Sequence, residues 1–136
     1  MMNMNHTVID FEQAQMWEHL QAASDEELDA LRFGVIAFDA DQRVCRYNRL
    51  ESALANFKQE EVIGQHVFVE LAPCLNNYLV AGRFEEAREA GQALDVTMPY
   101  VLTFRMRPTR VRMRLLAAPG HAVRYMLVDR LTGSAA

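Results

Sequence analysis

Two periods of apolar spacing run through the chain and divide it into elements. Between residues 110 and 115, Arg110, Arg112 and Arg114 alternate with Val111, Met113 and Leu115. That period of two is the signature of a strand with one wet and one buried face. Residues 33–38 and 43–46 flank Asp39-Ala40-Asp41-Gln42 and read as two strands joined by a turn. Residues 93–107 hold Val96, Thr97, Tyr100, Val101, Thr103 and Phe104, a strand composition, and Pro99 places its start at an edge or bulge. Pro108-Thr109 and Pro119-Gly120 are turns, and residues 122–128 form the last strand.

The helical period appears elsewhere. Phe11, Met16, Trp17 and Leu20 predict a short amphipathic helix within residues 8–22. Ser24 followed by Glu27 is a capping box that opens a second helix through Leu31. Neither is long enough to be stable alone, so both must dock as a cap on the main domain. A further helix covers about residues 49–55, where Leu50, Leu54 and Phe57 recur at helical spacing. Residues 58–61 form a polar helical turn closed by Gly64. Leu79, Val80, Phe84 and Ala87 predict a helix within residues 76–90 that ends at Gly91, with Gly82 as an interior weakness. Cap helices, two strands, a helical middle and three antiparallel strands make an α+β domain with one sheet.

At 136 residues and 51% hydrophobic, the chain suits one globular domain. Its net charge of −4 speaks against general nucleic-acid binding. It contains no apolar run of about 18 residues and no signal-peptide pattern at its start, so the expectation is a cytoplasmic protein without membrane contact. Cys45 and Cys74 are too few for a disulfide scaffold, and four scattered histidines make no metal set. The charge is uneven. Residues 1–31 carry seven acids and no lysine or arginine, whereas residues 104–136 carry seven arginines against Asp129. Such asymmetry belongs either to two solvated faces or to two parts that meet.

The candidate chemistry lies between Tyr47 and Cys74. Tyr47 and Glu51 are four residues apart, hence neighbours on a helix. Glu51 lies on or beside an apolar stripe, where burial favours its neutral form. Cys74 follows Ala72-Pro73 and sits in a turn. Plainer readings stand beside these. Asn48 with Glu51 fits a variant capping box, Cys74 suits a small buried hydrophobe, and Tyr47 an ordinary core aromatic.

The stretches LDALRFGVIAFD at 28–39, Tyr47-Asn48 with Glu51, VIG at 62–64, Phe68, APC at 72–74 and, later, Met106 with Pro108-Thr109 occur together in order. In that order and spacing the chain resembles the photoactive yellow protein family of PAS-fold blue-light receptors, from about Leu28 to about Leu131. The resemblance implies a PAS domain with a five-stranded antiparallel sheet, flanking helices and an amino-terminal helical cap. It divides the chain into a cap at 1–31, a photosensor core at 32–131 and a tail at 132–136. It also implies p-coumaric acid (4-hydroxycinnamic acid) held as a thioester on Cys74. Tyr47 and Glu51 would then donate hydrogen bonds to its phenolate, and the Cys74 backbone N–H would meet the thioester carbonyl. Met106 would assist the return to trans, and Ala72 and Phe57 would belong to the same site. Light would isomerise the chromophore, Glu51 would release its proton, and the cap would yield first. No enzymatic activity is implied. The output would pass to an unidentified signalling protein from a monomer or weak dimer.

Two positions depart from the family. Ala55 stands where a supporting threonine is usual, and Phe57 stands where an arginine usually seals the chromophore. Arg46 and Arg49 are the neighbouring cations, and the sequence does not orient them. Two other functions compete: a PAS module with a non-covalent ligand or a dimerisation role, and a thiol enzyme using Cys74 with His66 as base.

Overall fold

The computed structural model describes residues 9–103 and 107–131. Met106, the first residues of the cap and the TGSAA tail lie outside the described residues. Five strands form one antiparallel sheet: β1 (Gly34–Phe38), β2 (Val44–Tyr47), β3 (Leu94–Leu102), β4 (Thr109–Ala117) and β5 (Arg124–Arg130). Their spatial order is β2-β1-β5-β4-β3, so β2 and β3 are the edges. Pro99 lies in the edge strand β3, opposite Arg112, where its missing N–H has an open side to face.

β1 is buried on both faces, as its unbroken apolar run requires. Its alternation assigns two cores. Ile36 and Phe38 join Tyr47, Phe68, Phe84, Met113, Met126 and Val128 on one side. Val35 and Ala37 join Tyr125, Leu127 and Leu116 on the other, with Phe11, Met16, Trp17 and Leu20. The first core is closed by the helical middle: α3 (Arg49–Ala55), α4 (Gln59–Val62), a π-helical turn Val67–Leu71, a 3-10 turn Pro73–Leu75 and α5 (Ala81–Ala90). Phe38 meets Phe68 and Phe84 edge to face at 5.4 and 5.0 Å. The second core is closed by the cap helices α1 (Met16–Ala22) and α2 (Asp25–Asp29).

Three element boundaries differ from the expectation. The first helix begins only at Met16, because Asp10–Gln13 is a hydrogen-bonded turn and Gln15 is left-handed at φ 54°. Phe11 is nonetheless buried, held by the turn and not by a helix. The helix expected from residue 76 starts at Ala81. Asn77 explains the delay, since its side-chain oxygen accepts from the N–H groups of Leu79 and Val80 at 2.9 and 3.2 Å. Such a local bond offers the backbone an alternative to the helix. The last strand runs two residues beyond Val128 and so carries Arg130 onto the sheet.

The cap lies across the arginine face of β4. Arg112 bridges Glu12 at 2.9 Å and Asp129 at 2.8 Å, with its guanidinium 4.8 Å from the Phe11 ring centre. Arg114 is buried, takes Asp95 through two 2.8 Å bonds and donates to the Phe11 carbonyl. Trp17 Nε1 donates to the Val123 carbonyl at 3.0 Å. Arg110 is exposed. The charge attraction thus narrows to Glu12, with the carbonyl and ring contacts of Phe11 beside it.

Candidate functional site

Asn48 positions the site. It is buried and caps α3, its side-chain oxygen accepting from Glu51 N at 3.2 Å and from Val35 N at 2.9 Å. Its amide donates to the carbonyls of Leu28 and Phe33 at 2.9 and 3.0 Å. One residue therefore joins α2, β1 and α3. The capping-box reading of Glu51 holds only on the Asn48 side. Asn48 N donates to Val35 O, and the Glu51 carboxylate is turned elsewhere.

That carboxylate is 0% exposed and meets Arg130 at the end of β5. Arg130 donates to its two oxygens at 2.7 and 3.2 Å. The sequence reading of Glu51 considered burial alone; the structure adds a guanidinium contact to both carboxyl oxygens. Gly34 makes the approach possible. A Cβ there would stand 2.0 Å from Glu51 Oε1, so only glycine lets the carboxyl lie against β1.

Tyr47, at the end of β2, faces the same core as Ile36 and Phe68. Its hydroxyl is buried and has no hydrogen-bond partner. Burial, then the Glu51 charge, pushes the phenol far up from its ordinary range, with Arg130 opposing. A buried unpaired hydroxyl costs roughly 1–3 kcal/mol and marks a place where a polar partner is wanted.

Cys74 packs against this core, half-buried in the 3-10 turn. Its carbonyl accepts from Tyr100 Oη at 2.7 Å and from Asn77 Nδ2 at 3.2 Å, and Asn77 also bonds Tyr100 at 2.7 Å. The turn is thereby pinned to β3. Ala72 is a member of the same core, and Phe57 packs against it from the loop after α3. Ala55 is buried. Tyr47, Glu51, Ala72, Cys74 and Phe57 thus belong to one side of the sheet. Cys45 is on the exposed edge, and burial followed by Asp39 raises its thiol.

The cations near the site are sorted differently from the sequence order. Arg46 points to the cap, bonding Asp25, the carbonyls of Leu20 and Ala23, and Tyr125 Oη. Arg49 is largely exposed, 3.9 Å from Asp29. Arg130, missed in the sequence reading, is the cation on Glu51. No local signal pointed to it, since 79 positions separate the pair. His66 is also accounted for. Its Nδ1 accepts from Phe68 N and Val69 N, both at 3.2 Å, capping the π-helical turn. That engages the ring nitrogen a base would use and weighs against the thiol-enzyme reading. Among the described residues there is no metal-binding cluster and no helix long and apolar enough to cross a membrane.

Residues 28–130 match the family described as PAS fold. The chain is 31% identical over 124 residues to the photoactive yellow protein of Halochromatium salexigens, covering 91% of this chain and 98% of that protein. It is 31% identical over 111 residues to that of Rhodothalassium salexigens, covering 82% and 88%. Among solved structures it is similar to the photoactive yellow protein domain of the sensor histidine kinase Ppr from Rhodospirillum centenum. That likeness has 34% identity and a TM-score of 0.75, covering 83% of this chain and 98% of that one.

Proposed function

Since the chain belongs to the photoactive yellow protein family of PAS-fold photoreceptors, we propose that it senses blue light through p-coumaric acid held as a thioester on Cys74. The observation that carries this reading is the buried, unpartnered Tyr47 hydroxyl on the core against which Cys74 packs. The residues present fit a phenolic ligand: a spare donor at Tyr47, a buried carboxyl at Glu51 and a thiol in a pinned turn. When bound, the group supplies a conjugated double bond that absorbs visible light and isomerises.

The protein's own residues do the rest. Tyr47 donates to the phenolic oxygen, and Glu51 shares a proton with it. Ala72 and Phe57 keep water away from the site, where a charge is costly unless paired. Tyr100 and Asn77 hold the Cys74 turn in place. A change of charge at Tyr47 and Glu51 strains β2. The next residue, Arg46, grips the cap from the other face of the same strand. The cap's ion-pair partners Glu12 and Asp25 are exposed to solvent, so this segment yields first. The receiver is a signalling protein; the similar domain within a sensor histidine kinase supports an output of that class.

Reconstitution with activated p-coumarate tests the reading by mass and absorbance. The parent and Cys45→Ala are expected to gain the adduct mass and visible colour, and Cys74→Ala neither. Colour retained in Cys74→Ala, or a colourless parent, sinks the assignment; the latter favours a non-covalent PAS ligand. Met106→Ala is expected to slow the dark return, and equal rates make Met106 a packing residue.

A further inference from the structure

Arg124 opens β5, with the same parity along the strand as Met126 and Val128, and pairs in register with Phe38 of β1. It is only 8% exposed. The two other arginines tucked into the sheet each meet a carboxylate: Arg114 takes Asp95 at 2.8 Å, and Arg130 takes Glu51 at 2.7 Å. Arg124 has no such partner among the described residues. Its hydrogen bonds go to two carbonyls, Ala122 at 3.1 Å and Asp39 at 3.4 Å, both from Nη1. That leaves Nε and Nη2, the pair of donors with which Arg114 grips Asp95. A buried charge without an opposite partner is costly.

Arg124 lines a cavity of about 330 Å³ between the β1–β2 turn and α5. Phe38 and Phe84 are its most buried lining residues, and Gln42, Glu85 and Arg88 complete it towards solvent. Arg88 is half-exposed and pairs with Glu85, one turn back along α5. Asp39 is the other acid near Arg124, but its carboxylate accepts from the backbone N–H groups of Asp41 and Arg43 at 2.9 and 3.0 Å. Two arginines and one glutamate thus line the cavity, a net positive set. Burial, then the Arg88 charge, lowers the Arg124 guanidinium from its ordinary value, with Glu85 and Asp39 opposing. An anion between the two arginines offsets both causes.

We propose that this cavity is a binding site for a small oxyanion, a carboxylate or a phosphate group, held by Arg124 from the sheet and Arg88 from α5. Nε and Nη2 of Arg124 form a planar fork that matches two oxygens of such a group. Arg88 supplies the second charge by turning from Glu85 to the ligand. The site is separate from the Cys74 turn and needs no chromophore.

The test uses the full chain without chromophore, at constant pH and ionic strength, with sodium chloride exchanged stepwise for sodium phosphate or sodium acetate. In the parent, at least one of these anions should raise the Tm progressively, as a ligand of the folded state does. It should also give saturable amide NMR shifts in residues 39–42 and 84–88. A response to phosphate alone assigns a phosphate ligand, and a response to acetate alone a carboxylate. Arg124→Gln should weaken the binding by about tenfold or more, and Arg88→Gln less. Arg110→Gln, an exposed arginine elsewhere on the sheet, should bind as the parent does. Should Arg124→Gln fail to fold, Arg124→Lys carries the comparison: it keeps the charge, loses the fork and should bind several-fold more weakly. No saturable response to either anion overturns the proposal, as does parental affinity in the Arg124 variant.

Discussion

At the residue scale, the site departs from stability rules in two places. The Tyr47 hydroxyl is buried without a partner, which costs the unliganded fold free energy. Tyr47→Phe is therefore expected to leave urea stability unchanged or to raise it by about 1 kcal/mol, while weakening a phenolic ligand about tenfold. A loss of stability in that variant removes the argument that the hydroxyl awaits a ligand. The pH dependence has a definite sign. The folded state raises the Tyr47 phenol above its unfolded value, so its contribution is full below about pH 10 and is lost as pH rises beyond that. Tyr47→Phe should flatten the alkaline loss, leaving the part due to Tyr125, which is raised by burial as well. The second place is Gly34. Gly34→Ala puts a methyl 2.0 Å from Glu51 Oε1 and must push the carboxyl off Arg130. We expect a loss of about 2 kcal/mol in denaturant unfolding. Parental stability would show that the carboxyl does not need the glycine.

At the element scale, two helix caps of similar appearance in sequence do different work. Ser24 and Glu27 make a reciprocal capping box at 2.8 and 3.1 Å, in solvent, for a helix of five residues. Asn48 caps α3 from a buried position and also joins Val35, Leu28 and Phe33. Ser24→Ala should cost about 1 kcal/mol, the usual value of an exposed cap. Asn48→Ala should cost about 3 kcal/mol, because it also leaves buried donors and acceptors unpaired. Equal effects in chemical denaturation would mean that Asn48 is only a cap. The same contrast bears on function, since α3 carries Glu51 and β2 carries Tyr47. Loosening Asn48 should broaden the site as well as destabilise it.

At the scale of the whole molecule, the sheet separates a ligand-side core from a cap-side core, and its edge strand β2 touches both. Tyr47 belongs to the first, while Arg46 holds the carbonyls of Leu20 and Ala23 at 2.9 and 2.5 Å. The cap is further held by ion pairs with exposed partners, Arg112–Glu12 on β4 and Arg46–Asp25 on β2, each worth about 0–1 kcal/mol and open to screening. Arg114 holds the Phe11 carbonyl from a buried position, where salt reaches less. Raising salt from about 0.1 M to about 1 M should increase protease cleavage in the cap modestly. In Arg112→Gln that salt response should shrink to the part due to Arg46–Asp25. Arg114→Gln should loosen the cap at every salt concentration. A large salt response that persists in Arg112→Gln assigns the attraction to other charges.

The periodicities of residues 33–38, 43–46, 49–55 and 110–115 and the Ser24 box were legible because each is a contest among neighbours in sequence. Tyr47, Glu51, Ala72, Phe57 and Cys74 could be singled out as one set from short motifs, and the fold places all five on one side of the sheet. Other features depended on tertiary structure. Asn77 ended the expected helix early by a side-chain bond that competes with helical ones. The choice among Arg46, Arg49 and Arg130 as the cation on Glu51 was fixed by sheet register. Pairing of Gly34 with Val128 brings the end of β5 beside α3. A slip of one residue would turn Arg130 to the cap side and Asp129 to Glu51. Nothing within a few residues of either partner encodes that register. It follows from burying two apolar faces of one sheet at once, and so the cation that meets Glu51 was chosen by the fold and not by its neighbours in the chain.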